Sequence, residues 1–190
     1  MAAVKRICLG LWLVLLGANA AGAQTRVYLG ENEAIARVLQ GAGNISADTL
    51  RLSPAEIDDL SRGLNGVLVD SVYVFHEAIV GDTVSSRAVI VSSMGQYEPI
   101  TLIVALRGSG EVERVEIMVY RESRGGEVRR RAFLEQFEGR SGADPIRLGD
   151  DIMHVTGATI SSRAVANGVR LAFRLQERLR LRDERVSRPD

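Results

Sequence analysis

The chain has 190 residues, 24 basic and 24 acidic side chains and no formal net charge. That balance argues against nucleic acid as the main partner. One cysteine, Cys8, and two histidines, His76 and His154, exclude a disulfide framework and are too few for a His-rich metal site.

Residues 1–23 read as a signal peptide. Lys5 and Arg6 form a short basic region, an apolar run follows from Ile7 to about Leu16, and Ala21-Gly22-Ala23 has the A-x-A pattern of a signal-peptidase site. An uncleaved anchor is the alternative. The uncharged stretch Ile7–Ala23 is short for a span, however, which wants about 20 residues. Either way the remainder is expected in the periplasm or otherwise outside the cytoplasm. Cys8, Trp12 and Lys5, each the only residue of its type, leave with the segment. The mature chain then lacks a thiolate nucleophile, an Fe–S ligand and a Schiff-base lysine, so redox chemistry would need an organic cofactor.

Residues 24–66 read as an N-terminal helical segment. Ala34, Ile35, Val38 and Leu39 have helical spacing within Glu31–Gln40. Ser53-Pro54-Ala55-Glu56 is a capping box with Pro at the first helical position, and Ile57, Leu60 and Leu64 continue that face. Alternation and β-branched residues then predict strands at 67–80, 84–91, 100–106 and 112–120. Val112, Val115, Ile117 and Val119 supply the apolar side of the last strand, with one irregularity near Glu113-Arg114. The short turns between strands make this an antiparallel meander.

Residues 132–137 suggest a short helix with Phe133, Leu134 and Phe137 inward. Residues 152–155 suggest a short strand leading into Thr156-Gly157-Ala158-Thr159. A long helix capped by Ser161 or Ser162 follows, to about Leu181, with Val165, Val169, Phe173 and Gln176 or Leu175 on one face. Residues 183–190 read as a frayed tail. The fold class is α+β: an antiparallel sheet of four or more strands flanked by helices.

The turn at 155–162 has chemical potential. A helix N-terminus offers free N–H groups and a positive dipole end to an anion. Gly157 and Ala158 leave room near the backbone, and the hydroxyls of Thr156, Thr159 and Ser161 can bond phosphate oxygens. An ordinary strand-to-helix turn with a Ser cap is the competing reading of the same residues.

Thr156-Gly157-Ala158-Thr159, continued by Ile160-Ser161-Ser162, resembles the S/T-G-A-T motif of FMN-binding domains. These occur in flavin-carrying subunits of the sodium-pumping NADH:quinone reductase and of Rnf electron-transport complexes. Gly95-Gln96-Tyr97-Glu98-Pro99-Ile100 is similar to that family's entry to its central strands. Glu122-Ser123-Arg124-Gly125-Gly126-Glu127 is similar to its E-T-x-G loop. The likeness runs from about Val72 to Phe173 and places the domain at 67–182. It implies FMN as cofactor, joined by a flavin transferase through a phosphoester to Thr159. It also implies redox partner proteins, membrane-bound ones included, and electron transfer rather than stand-alone catalysis. The implied cofactor site comprises Thr159, Thr156, Gly157, Ala158, Ser161, Ser162, Glu122, Ser123, Gly125, Tyr97 and His154, with no catalytic acid or base and no metal. Met153 stands where the family has an Asp, six residues before the acceptor threonine. The alternatives are a redox-silent extracytoplasmic module that binds a ligand or partner, and a reductase holding FMN noncovalently. The Arg129-Arg130-Arg131 run reads as a solvated face or as a contact for a phosphate or an acidic partner.

Overall fold

A computed structural model describes residues 25–187. The expected leader and residues 188–190 lie outside the described residues. In chain order the elements are β1 (Arg26–Val27), α1 (Glu31–Val38), β2 (Asn44–Arg51), α2 (Pro54–Ser61), β3 (Val67–Leu68), β4 (Val72–Val80), β5 (Thr83–Met94), β6 (Pro99–Arg107) and β7 (Val112–Tyr120). There follow a 3₁₀ turn (Gly126–Arg129), α3 (Arg131–Leu134), a second 3₁₀ turn (Glu135–Phe137) and α4 (Thr159–Val186).

The strands form one antiparallel sheet in the order β1-β7-β6-β5-β4-β2, with β3 pairing β5. The sheet is α+β as expected and has seven strands. The central strand β6 is buried on both faces. Leu102, Val104 and Leu106 face the core shared with α4, while Ile103 and Ala105 face a smaller core closed by Ala34, Ile35 and Val38 of α1. A run buried on both sides loses its alternation, which is why 100–106 reads as a continuous apolar stretch.

Several expectations are corrected. Residues 24–66 are not a helical segment, since Asn44–Arg51 is a full strand on β4 and Arg26–Val27 pairs with β7. As an edge strand, β2 buries only Leu50, so its sequence shows little apolar alternation. The expected strand 67–80 is two strands, broken where the Asp70 N–H donates to the Tyr73 hydroxyl at 3.0 Å. Residues 152–155 form no strand and make a single bridge, Ile152 with Leu148. The last helix begins at Thr159, ahead of Ser161 and Ser162, and no side chain caps it. It runs past Leu181 to Val186, where Arg182 pairs with Asp48 and donates to the Thr49 carbonyl at 2.9 Å. The α2 capping box at Ser53 and Glu56 is present as read.

Strand β7 carries two irregularities. The first skips Glu113, so Val112 and Val115 both face α4, in line with the expected break. The second skips Met118. It places Met118 and Val119 together on the α1 face and returns Tyr120 to the α4 face, so Val119 leaves the side expected for it. A bulge re-aims every later side chain of its strand.

Helix α4 crosses β6 at Gly168, where a Cβ would lie 2.9 Å from a Leu102 methyl. A mid-helix glycine loses about 1 kcal/mol of helix propensity, so close approach is the physical gain here. Gly168→Val is expected to lower unfolding stability by about 2 kcal/mol in urea titration, through overpacking against Leu102. A wild-type midpoint would contradict the close contact.

His76 on β4 faces Glu31 of α1 at 3.7 Å. Burial pushes its pKa below the ordinary 6.5, with Glu31 opposing. The unfolded chain therefore takes up the proton more readily than the folded one. The His76 contribution is intact above 6.5 and is lost as pH falls below it. Wild type should lose more stability than His76→Gln over that fall, and parallel pH profiles would reject the assignment.

Candidate functional site

The first intrahelical bond of α4 runs from the Ser162 N–H to the Ala158 carbonyl at 2.8 Å. The N–H groups of Thr159, Ile160 and Ser161 thus have no acceptor within the helix. They open on a cleft of about 580 Å³. Its walls are the β5–β6 loop at Gln96 and Tyr97, the segment after β7 from Glu122 to Gly125, and Gly157 to Ser161.

Three devices set its shape. The buried Glu122 carboxylate accepts from the Tyr97 N–H at 2.6 Å and the Glu98 N–H at 3.0 Å, which pins the β5–β6 loop to the segment after β7. A Cβ at position 95 would sit 2.5 Å from that carboxylate, so this approach needs Gly95. Second, Tyr120 donates its only hydroxyl proton to the Arg124 carbonyl, so the 2.8 Å contact with Ser161 has the serine as donor. Burial pushes the Tyr120 pKa up, with the Ser161 bond opposing, which keeps the phenol protonated. Third, Gly125 sits at φ 85°, and a Cβ there would lie 2.7 Å from both Ser161 Oγ and the Tyr120 hydroxyl.

Of the residues expected at the site, Thr159, Gly157, Ala158, Ser161, Glu122, Ser123, Gly125 and Tyr97 line this cleft. Thr156, Ser162 and His154 do not. Thr156 and His154 are exposed outside it. The Ser162 hydroxyl is turned back to accept from the Val155 N–H at 3.1 Å. Ser161 is at the wall, but its proton is directed to Tyr120, which leaves Thr159 and, across the cleft, Ser123 as wall residues with uncommitted hydroxyls. Tyr97 is 72% exposed. Gln96, Arg124 and Ile160 also line the cleft, although none of them stood out as a site residue from the sequence. Met153 is 75% exposed, its backbone held at both ends by the Gln136 amide at 2.8 and 3.1 Å. Asp151 accepts from the Ile146 and Arg147 N–H groups and so serves its own turn. Next to Gly157 no atom lies within 4 Å of where a side chain would begin, so the motif opens on free space.

A family model described as the FMN-binding domain matches residues 95–174, from the β5–β6 loop to the middle of α4. The cofactor this domain indicates is FMN. The match begins at Gly95, under the Glu122 carboxylate, and encloses every residue lining the cleft. Among solved structures, the crystal structure of Shewanella oneidensis NqrC has the same fold. It matches with a TM-score of 0.52 and 14% sequence identity, over 73% of this chain and 85% of that one. No curated protein matches the chain.

The cleft enclosed by the matched residues suits such a group. A few hundred Å³ is the usual size for a cofactor site, and free N–H groups at a helix start favour a phosphate. Glu122→Ala is expected to lower stability by about 2 to 3 kcal/mol, because it removes the charged acceptor and leaves the Tyr97 and Glu98 N–H groups without their partner. Hydrogen exchange at the Tyr97 and Glu98 amides should accelerate in the same variant. Unchanged protection at both would contradict the role given to this carboxylate.

Proposed function

We propose that this chain is an exported electron-transfer flavoprotein whose FMN is joined through its phosphate to Thr159. The observation that carries the reading is the place of Thr159. Its side chain is exposed at the first residue of α4 and faces the cleft beside three N–H groups without intrahelical acceptors. The phosphodiester formed there would put its single negative charge at the positive end of a 28-residue helix. Ser161 and Tyr120 brace the turn from behind, and Glu122 holds the Tyr97 loop open across from it.

When bound, FMN supplies the redox chemistry, since it exchanges electrons singly or in pairs. The chain's own residues would seat the phosphate, position the ring against the 95–98 loop and limit its contact with water. The likeness to NqrC and the family match support electron transfer as the role. By the same family resemblance, a flavin transferase and redox partners at the membrane complete the system. Export rests on the pattern of residues 1–23. No helix among the described residues is long and apolar enough to cross a membrane.

Met153 favours a second reading, in which FMN occupies the same cleft noncovalently. Co-expression with a flavin transferase in an exporting host separates the two. Intact mass should rise by one FMN less one water and the N-terminus should begin at Gln24. Thr159→Val should lose the gain and keep the processing. A wild-type chain at its unmodified mass, yellow until treated with acid, would replace the covalent reading with the noncovalent one. If Met153→Asp alone restored the mass gain, residue 153 would be the reason.

A further inference from the structure

A second hollow, of about 470 Å³, lies across the 123–126 segment from the Thr159 cleft and shares Ser123, Arg124 and Gly125 with it. Arginines dominate its wall: Arg26 before α1, Arg37 on α1, and Arg124, Arg129 and Arg130 around the 3₁₀ turn. The structure splits the Arg129-Arg130-Arg131 run. Arg131 turns away to Glu135 at 2.5 Å and Glu138 at 3.6 Å, while Arg129 and Arg130 line the hollow.

Neutralisation decides what this concentration of charge means. Arg37 is paired with Glu33, and the wall carboxylate Glu116 with Arg114. Among the described residues Arg26, Arg124, Arg129 and Arg130 form no ion pair, and Glu127 is the one wall carboxylate left to oppose them. The whole chain has no net charge, so this excess is local. The Arg129 guanidinium lies 4.2 Å from the centroid of the Tyr28 ring, a cation–π contact that orders it.

We propose that this hollow is the docking surface for an acidic projection on the protein that exchanges electrons with the flavin. The inference rests on the electron-carrier reading. Contiguity supplies the reason for that partner, because a protein seated on Arg124 and Gly125 adjoins the cleft wall itself. Electron-transfer encounters use small interfaces and charge steering, which unpaired arginines provide. A flat bilayer cannot enter a concave site, which sets a convex protein surface above a membrane.

Two measurements test it. First, a fluorescent polyglutamate peptide is titrated into the mature chain without flavin. Binding should weaken with added salt and fall about fivefold in both Arg129→Ser/Arg130→Ser and Arg26→Ser, while Arg51→Ser, at the end of β2, matches wild type. Equal affinities in all four proteins would overturn the proposal, as would binding to vesicles of phosphatidylglycerol and phosphatidylcholine that outcompetes the peptide. Second, the FMN-loaded chain is reduced and mixed with hexacyanoferrate(III) or hexaammineruthenium(III). Two metal complexes each take one electron, the flavin returns to its oxidised form, and its protons pass to the buffer. The anionic oxidant should react about fivefold more slowly in the arginine variants and lose rate with salt, whereas the cationic one should not. Matching rates for the anionic oxidant in variant and wild type would overturn the electron-transfer role of the surface. Failure of the chain to take up FMN would count against the carrier reading alone, since the peptide titration is read on the unloaded protein.

Discussion

The Tyr120 phenol is the joint on which the cleft depends. It donates to the Arg124 carbonyl and accepts from Ser161, tying the end of β7, the segment after it and the first turn of α4 to one oxygen. The contact exists because the Met118 irregularity returns Tyr120 to the α4 face. In an unbroken strand the ring would point toward α1, and the helix start would have no brace. Gly125 belongs to the same joint, since a side chain there would collide with both hydroxyls.

Helix α4 carries that joint at one end and is fixed along its length by different means. Gly168 seats it on Leu102, and Asn167 donates to the Asn65 carbonyl at 2.8 Å. Arg174 donates to the Leu60 and Arg62 carbonyls, which satisfies acceptors at the end of α2 that no intrahelical N–H reaches. Arg178 and Arg182 continue the series to Asp59 and Asp48. Ion pairs as exposed as these add little stability singly. Spaced along one helix, they fix its azimuth, and with it the direction in which Thr159 points.

What was legible in the sequence was mostly local. The meander, the α2 cap and the Thr156–Thr159 turn follow from patterns only a few residues wide. Glu122, Gly125 and Tyr97 came through family resemblance, because nothing in their own neighbourhoods shows that they meet α4. The edge strand β2 was hidden, since one buried residue leaves almost no periodic signal. Tyr120 was missed because its direction is set by a bulge two residues earlier. Ser161, Ser162, Thr156 and His154 look alike as neighbours of a motif. The fold separates them by turning one hydroxyl to Tyr120 and another to Val155, and by leaving the remaining two side chains outside the cleft. The arginine hollow draws on β1, α1 and the 3₁₀ turn, so no single stretch of sequence announces it.

The sheet is closed at both edges by the first part of the chain and covered on its larger face by the last. Arg182 meets Asp48 across 134 positions of sequence, and β1 must find β7 before its edge is covered. Such distant pairings form late and slowly. A chain lengthening from its N-terminus therefore holds a bare apolar sheet until residues 159–186 are available, and Thr159 has no walls around it before then. The walls of the cleft around Thr159 are therefore complete only once the sheet and the last helix have come together.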